Sequence, residues 1–488
     1  MKEIVHPEQQ AVPGWVFAAV TMAVALVSGF VIGDDLLILA AALGGLVTLV
    51  LFGVVPLSLP VKLIFLLVLV AFLQRVLGYF KLEGLRGLNA GNLLLLVTFI
   101  YWFLSGLRRG SIYRPSPIDL WVVIAAIIIP LLSIFYTVAF QDLPGYSLTS
   151  ELLWYKQWVT PFLYFFLIYQ CLDNKPDIRK MLLLSLGLVT LAIFYGLPEA
   201  LRFTNWRDSR SLGILGQPNS YAALLAVTSP FFFLVLFRLR LRPIVRVLAF
   251  VVLACMTLSL LTTFSRGGYM GFGVGLLGAL YVSHRGLGRA ISVRPIILVA
   301  TLCLVPFAVS PQLIESVQTR FSTDTYKRAK RKSYTQFGVA DSFSGGRLQI
   351  WKAAIEMAQD KPLFGVGFHA FELELPKYHP QGLTNYPHNQ YLGALAEGGL
   401  VWLAALLILF WKVLLLLYHN WRVTLQQQDA MGQVICGGAM ISFCIMLCMC
   451  MGNDFFGPGP KVTIFWVCMA GAIKYGTLSR REAASASV

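Results

Sequence analysis

DLWVVIAAIIIPLLSIFYTVA, residues 119–139, decides the fold of this chain. Its apolar residues run on without alternation over the roughly 20 positions that carry a helix across a bilayer. Backbone polar groups in hydrocarbon have no water to bond, so a spanning segment must satisfy them as a helix or within a closed barrel. Barrel strands alternate apolar and polar residues; this run does not, and it predicts a helix. Working outward, comparable runs lie at 14–32, 36–55, 61–79, 90–107, 153–171, 181–199, 219–237, 243–263, 267–283, 293–310, 389–416, 433–451 and 460–476. The expectation is an all-α polytopic membrane protein with about 14 transmembrane helices.

Composition agrees. Of 488 residues, 57% are hydrophobic and 13% charged, where a soluble domain carries about a quarter charged residues. The net charge of +16 does not point to nucleic acid, because the basic residues gather in short loops between apolar runs. All eight cysteines (Cys171, Cys255, Cys303, Cys436, Cys444, Cys448, Cys450 and Cys468) fall within or at the ends of apolar segments. They form no disulfide framework or metal-ligand spacing. The first residues, MKEIVHPEQQAVPG, are polar and no small-residue cleavage site follows, so the first apolar run reads as a retained span.

Loop charge sets orientation. Arg108, Arg109 and Arg114 share one loop; Lys175, Arg179 and Lys180 a second; Arg238, Arg240, Arg242 and Arg246 a third; Arg285, Arg289 and Arg294 a fourth. They alternate with loops poor in positive charge, such as 140–152 and the Asp34–Asp35 turn. Basic loops stay in the cytoplasm, which places both termini there, in agreement with Arg480 and Arg481. Two outward segments are basic: 200–220, and the long loop from about 311 to 388 with KRAKRK at 327–332. Long loops cross largely regardless of charge. The chain thus divides into N-terminal spans (1–199), spans with polar outward turns (200–310), the long outward loop (311–388) and C-terminal spans (389–488).

Within that loop, 318–345 is polar and rich in Ser, Thr and Lys. RLQIWKAAIEMA (347–358) sets Leu348, Trp351 and Ile355 at helical spacing, the pattern of an amphipathic helix on the membrane surface. No internal repeat is evident, which weighs against common transporter folds.

Four stretches carry more polar detail than an inert bundle needs: RSLGILGQPNSYA (210–222), TFSRGGYMG (263–271), GGRLQIWKAAIEMAQDKPLFGVGFHAF (345–371) and YPHNQYLGALAEGGLVW (386–402). On this topology all four open outward. Arg266 lies in a turn so short that it must sit at the membrane boundary. By itself it reads as a side chain snorkelling to headgroups, and Arg210, with Arg202 and Arg207, as a solvated face. Together Arg210 and Arg266 suit a fork gripping a pyrophosphate, since guanidinium is permanently charged and bidentate. His388 follows Pro387 at the apparent start of a helix. Proline favours the first turn, and the positive end of the dipole there keeps imidazole neutral, as a general base requires. The alternative is an interfacial histidine satisfied by water. His369 and His379 are not spaced as a zinc site. Glu397, nine residues beyond His388, is half a turn out of phase on a continuous helix. It aligns with Gln390 and Gly393, as a buried structural acid, unless the helix breaks at Gly398–Gly399. The glycines between 267 and 278 suit close helix packing.

In this order, the stretches resemble the O-antigen ligase family of bacterial inner-membrane glycosyltransferases, which spans O-antigen ligases, protein O-oligosaccharyltransferases and some polysaccharide polymerases. The matching features are Gly213, Gly216, Pro218 and Asn219 opening a span; the Ser265–Arg266–Gly267 turn; Arg347 and Trp351 with Pro-Leu-Phe-Gly-Val-Gly-Phe (362–368); and His388, Asn389, Tyr391, Leu392, Glu397 and Gly399. Trp402 departs from a small residue often found there. The resemblance implies inverting glycan transfer on the periplasmic face, from a polyprenyl-diphosphate-linked donor to a glycan, lipid or protein acceptor. It implies no cofactor or metal, membrane lipids as neighbours and no nucleic-acid partner. By carry-over Arg210 and Arg266 bind diphosphate and His388 activates the acceptor hydroxyl, with Asn219, Ser265, Arg347, Asn389, Tyr391 and Glu397 in support. Polymerisation of repeat units is the alternative within the family. A transporter is the alternative outside it, disfavoured because most span centres are uncharged.

Overall fold

The computed structural model describes residues 57–72, 90–141, 143–204, 209–287, 312–321, 347–379, 386–453, 455–456 and 459–485. The spans expected at 14–32, 36–55 and 293–310, the end of 61–79, and the 327–332 basic run lie outside the described residues. All regular structure among the described residues is helical. The helices are α1 (Leu59–Phe72), α2 (Ala90–Arg108), α3 (Asp119–Phe140), α4 (Leu148–Cys171), α5 (Lys175–Leu201), α6 (Pro218–Arg238), α7 (Pro243–Thr262), α8 (Arg266–Leu287), α9 (Gln312–Phe321), α10 (Arg347–Asp360), α11 (Phe371–Tyr378), α12 (Gln390–Gln426), α13 (Ala430–Met449) and α14 (Pro460–Ser485). Eight of them, α2, α3, α5, α6, α7, α12, α13 and α14, are long and apolar enough to cross a membrane.

The bundle has two distinct ends. At one, Arg109 and Arg114 pair with Asp173, Lys175 with Glu482 (2.6 Å), and Arg179 reaches Asp429 (3.8 Å). Gln427 Nε2 donates to Ser479 O at 2.8 Å in the same layer. The first two basic loops read from the sequence therefore share one end with the close of α14. The centre is α14: 89% of its most apolar window is buried inside the protein, against 11% for α2. On α2, Leu93, Leu96, Ile100, Leu104 and Leu107 stay exposed, as a lipid-facing helix requires. Aromatic rings from α4, α12 and the 455–456 turn ahead of α14 meet around Trp158, with Trp402 at 5.5 Å and Phe456 at 5.7 Å.

Lipid is as apolar as leucine, so close helix contact in a membrane depends on small residues. On α8 an added Cβ at Gly268 would stand 2.6 Å from Ala222 of α6, and at Gly278 2.7 Å from Ile441 of α13. At Gly271 and Gly275 it would meet Ile445 and Ser229, each at 2.8 Å. The glycine stripe lets α8 lie against both α6 and α13.

Two helices leave the regular ladder. α3 widens to a π turn over Val123–Ile128, just ahead of Pro130. Proline has no N–H, so the turn before it is short of a donor. Three side chains supply donors instead: Trp402 Nε1 to Ala125 O (2.9 Å), Trp158 Nε1 to Ala126 O (3.0 Å) and Tyr155 OH to Ile127 O (3.0 Å). Trp402 is thus a buried strut between α12 and α3. α12 breaks at Gly399, with φ 64° and ψ −163°. The N–H groups of Leu400 and Val401, which a straight helix would pair with Ala396 and Glu397, donate instead to Pro362 O (2.8 Å) and Leu363 O (3.3 Å). The vacated carbonyls of Ala396 and Glu397 accept from Val366 N (2.8 Å) and Gly367 N (2.9 Å). The loop is spliced into the helix by these four backbone hydrogen bonds.

α10 runs two residues beyond the expected 347–358 and packs on α12 through Gln349, Ile350, Ala353, Ala354, Met357 and Ala358. The expected stripe of Leu348, Trp351 and Ile355 is not that face: Ile355 is 44% exposed and Trp351 bonds to a neighbouring backbone. Small alanines fit the tight contact, which hydropathy spacing alone does not reveal.

Candidate functional site

The end opposite the basic one gathers the polar stretches. Glu199, near the end of α5, accepts from Leu212 N (2.7 Å) and Gly213 N (2.9 Å) and so shapes the turn that follows Arg210. Gly213 has φ +55°, and a Cβ there would lie 2.7 Å from the ring of Tyr221, which is fully buried. Gln217 then caps α6 through Ser220 N, and Pro218 occupies its first turn. The Gly-x-x-Gly-x-Pro-Asn pattern is thus a turn and a helix start, with Asn219 at its tip.

Arg210 is half-buried. Its Nε donates to Thr263 O at 2.7 Å, and Asn219 Oδ1 lies 3.5 Å from Nη2. Burial lowers its pKa from the ordinary 12.5, a sign of desolvation, since the guanidinium stays charged. Ser211 N bonds Thr262 O at 3.1 Å, and the two hydroxyls meet at 2.7 Å. Arg210 is therefore fastened to the turn that leads into Arg266. Ser265 is buried there, its carbonyl accepting from Tyr269 N (3.0 Å) and its Oγ from Gly268 N (3.4 Å). It caps α8, leaving Arg266 exposed as the first helical residue.

The turn at 450–453 ties the rest together. Gly267 is so close that an added Cβ would lie 2.9 Å from Asn453 Nδ2. Cys450 O accepts from Gln390 N at 2.8 Å, and Gly452 O from Arg347 Nη1 at 2.6 Å. One turn thus joins the starts of α8, α10 and α12. Tyr391 OH donates to Leu447 O (2.9 Å) just below it.

His388 stands at this junction, half-buried, but not where the sequence suggested. α12 begins at Gln390 with Asn389 as its cap, whose Oδ1 accepts from Tyr391 N and Leu392 N, both at 3.1 Å. Pro387 precedes the helix, and its carbonyl accepts from Trp351 Nε1 at 2.7 Å. His388 lies just before the cap with φ +48°, a left-handed conformation uncommon outside glycine. The expected place within the first turn is corrected accordingly, and so is the half-turn phase argument, which required His388 to be on the helix. Glu397 is buried on the same face as Gln390, and the helix breaks two residues later at Gly399. Its carboxylate acts electrostatically on His369 and Tyr146.

Arg210, Arg266 and His388 therefore share one end of the bundle, linked through the 262–263 and 450–453 turns. Asn389, Tyr391 and Ser265 have structural bonds, and Arg347 pins the connecting turn. Sequence reasoning overlooked Asn453, which follows an apolar run without a motif, and the pair formed by Glu151 and His369. Among the described residues no group of three or more His, Cys, Asp or Glu side chains is placed to hold a metal ion, and the seven described cysteines are unbridged.

A helical bundle with apolar flanks and a polar junction at one end defines a multi-pass membrane protein. Residues 251–408 match the family model described as O-Antigen ligase. That segment, which holds Arg266, Arg347, His388 and Glu397, is similar to the O-antigen ligase family. No curated protein matches the chain.

Proposed function

We propose that this protein transfers a glycan from a polyprenyl-diphosphate carrier to an acceptor hydroxyl at the periplasmic face of the bacterial inner membrane, with both termini in the cytoplasm. The observation that carries this reading is the placement of Arg210, Arg266 and His388 at the end of the bundle away from the basic loops. Arg210 and Arg266 grip the diphosphate. Guanidinium keeps its charge when partly desolvated and presents paired donors to phosphate oxygens. His388 accepts the hydroxyl proton as the acceptor oxygen attacks the anomeric carbon. The new C–O bond forms on the face opposite the bond to phosphate, so the anomeric centre inverts. The electrons of the broken bond leave on the lipid diphosphate, held by the arginines. General-base assistance is worth about 10²–10⁴ in rate, and preorganised charge at the leaving group contributes comparably. Neither role calls for a metal ion.

Ligation and repeat-unit polymerisation share this donor chemistry and differ in the acceptor. His388→Ala is the test. It should lower transfer by at least about 10²-fold, while insertion and abundance stay normal. Full activity in that variant removes the general base from the mechanism.

A further inference from the structure

Glu151 lies in the first turn of α4, 4% exposed, and its Oε2 sits 3.0 Å from Nδ1 of His369. One turn further along α4, Trp154 lies under the imidazole with ring centroids 4.4 Å apart and planes inclined by 29°. His369 holds φ +59°, an uncommon conformation for a side-chain-bearing residue. It ends the segment spliced into α12. Immediately before it, Phe368 N donates to Ser133 Oγ of α3 (2.9 Å) and Phe368 O accepts from Tyr146 OH (2.7 Å). At the other end of the segment, Lys361 Nζ donates to Gln141 Oε1 at 2.7 Å. A buried carboxylate, an indole face and a strained backbone thus converge on one imidazole, which the transfer mechanism does not use.

Three carboxylates act on that imidazole: Glu151 from α4, Glu397 from α12 and Glu372 from α11. The phenol of Tyr146, kept protonated by burial and by Glu151 and Glu397, completes the surroundings. Burial pulls the His369 pKa down, but the Glu151 hydrogen bond and the three carboxylates outweigh it, and the net shift is upward from 6.5. An aromatic face also favours the cation.

We propose that Glu151 and His369 form a charge clasp that holds the spliced loop against α4, and with it the broken start of α12 that follows His388. The clasp rests on the transfer reading for its purpose, not for its existence. His369 is a positioning residue: it acts through the hydrogen bonds of Val366 and Gly367 to α12, and touches no substrate. Because its folded-state pKa is raised, the clasp is complete at pH values below 6.5 and loosens as pH rises through the raised value.

The test compares Glu151→Gln and His369→Asn with the wild type in lipid nanodiscs. Asparagine tolerates the left-handed backbone, so that variant removes the charge and spares the turn. In the wild type, the protection of the Val366, Gly367, Leu400 and Val401 amides, taken relative to their intrinsic base-catalysed exchange, should be high at pH 6 and fall as pH rises. In both variants that protection should be at least about tenfold lower at pH 6, the scale of one charge-assisted hydrogen bond, and should change little with pH. Turnover should fall about tenfold in kcat with donor KM within about twofold, because positioning and not donor binding is lost. Unchanged protection at those amides in folded variants overturns the clasp, and lost protection with undiminished kcat overturns the positioning role of His369. A wild type without transfer activity would refute the proposed function, while the exchange comparison would still decide whether the clasp exists.

Discussion

Gly399→Ala probes the splice between the loop and α12. The glycine has φ 64° and ψ −163°, a region essentially reserved for glycine, where another residue costs about 1–3 kcal/mol. An added Cβ would also stand 2.4 Å from both the carbon and the oxygen of the Leu363 carbonyl, backbone atoms that cannot rotate aside. The chain has two escapes. If the break persists, strain and clash remain, at least about 2 kcal/mol taken together. If α12 straightens, Leu400 and Val401 recover Ala396 and Glu397 as acceptors, but Pro362 O, Leu363 O, Val366 N and Gly367 N are stranded. Each buried polar group left without a partner costs about 1–3 kcal/mol, so this route is no cheaper. Thermal unfolding in mild detergent, read beside Gly273→Ala, makes the comparison. Gly273 sits within α8 with nothing inside 4 Å of its Cβ position, so alanine there should be neutral or stabilising by up to about 1 kcal/mol. Gly399→Ala should unfold well below the wild type and lose exchange protection at Val366 and Gly367. Unchanged melting with those amides still protected would refute the splice as a structural necessity.

Arg266→Lys should lose at least about tenfold in transfer, since an ammonium cannot make the paired contact of a guanidinium; near-normal turnover in a steady-state assay would mean that Arg266 only meets headgroups. Glu199→Ala removes two charge-assisted hydrogen bonds, each worth about 1.5–3 kcal/mol, from the turn that follows Arg210. It should raise donor KM and lower the unfolding temperature, and an unchanged KM would separate that turn from donor binding.

The spans were legible because hydropathy reports the segment that hydrocarbon must solvate, yet the helices run on past it. α5 begins at Lys175, not 181, because Asn174 caps it through Asp177 N at 2.8 Å. α4 begins at Leu148, not 153, where Ser147 caps it. α12 continues from the expected 416 to Gln426 through Asn420, Trp421 and Arg422, residues that leave the apolar run without leaving the helix. Arg210, Arg266 and His388 drew notice because permanent charge and imidazole stand out between apolar runs, and the structure sets them at one end of the bundle. The break at Gly399 was foreseen only as a condition, since its partners come from a loop over thirty residues away. The pairing of Glu151 with His369 was not readable at all: the two are 218 residues apart, and neither belongs to a periodic pattern.

The π turn of α3 has a consequence for how that helix is oriented about its own axis. Side chains such as Leu120, Leu132, Phe135 and Phe140 are exposed, and lipid is as good a solvent for them as a protein groove. Hydrophobicity therefore cannot choose which way α3 faces. Hydrogen bonds are directional where apolar contact is not, and successive carbonyls at 125, 126 and 127 are claimed by Trp402, Trp158 and Tyr155. Rolling α3 about its axis would break all three, so these aromatic donors set its azimuth, and with it the direction in which Ser133 meets Phe368.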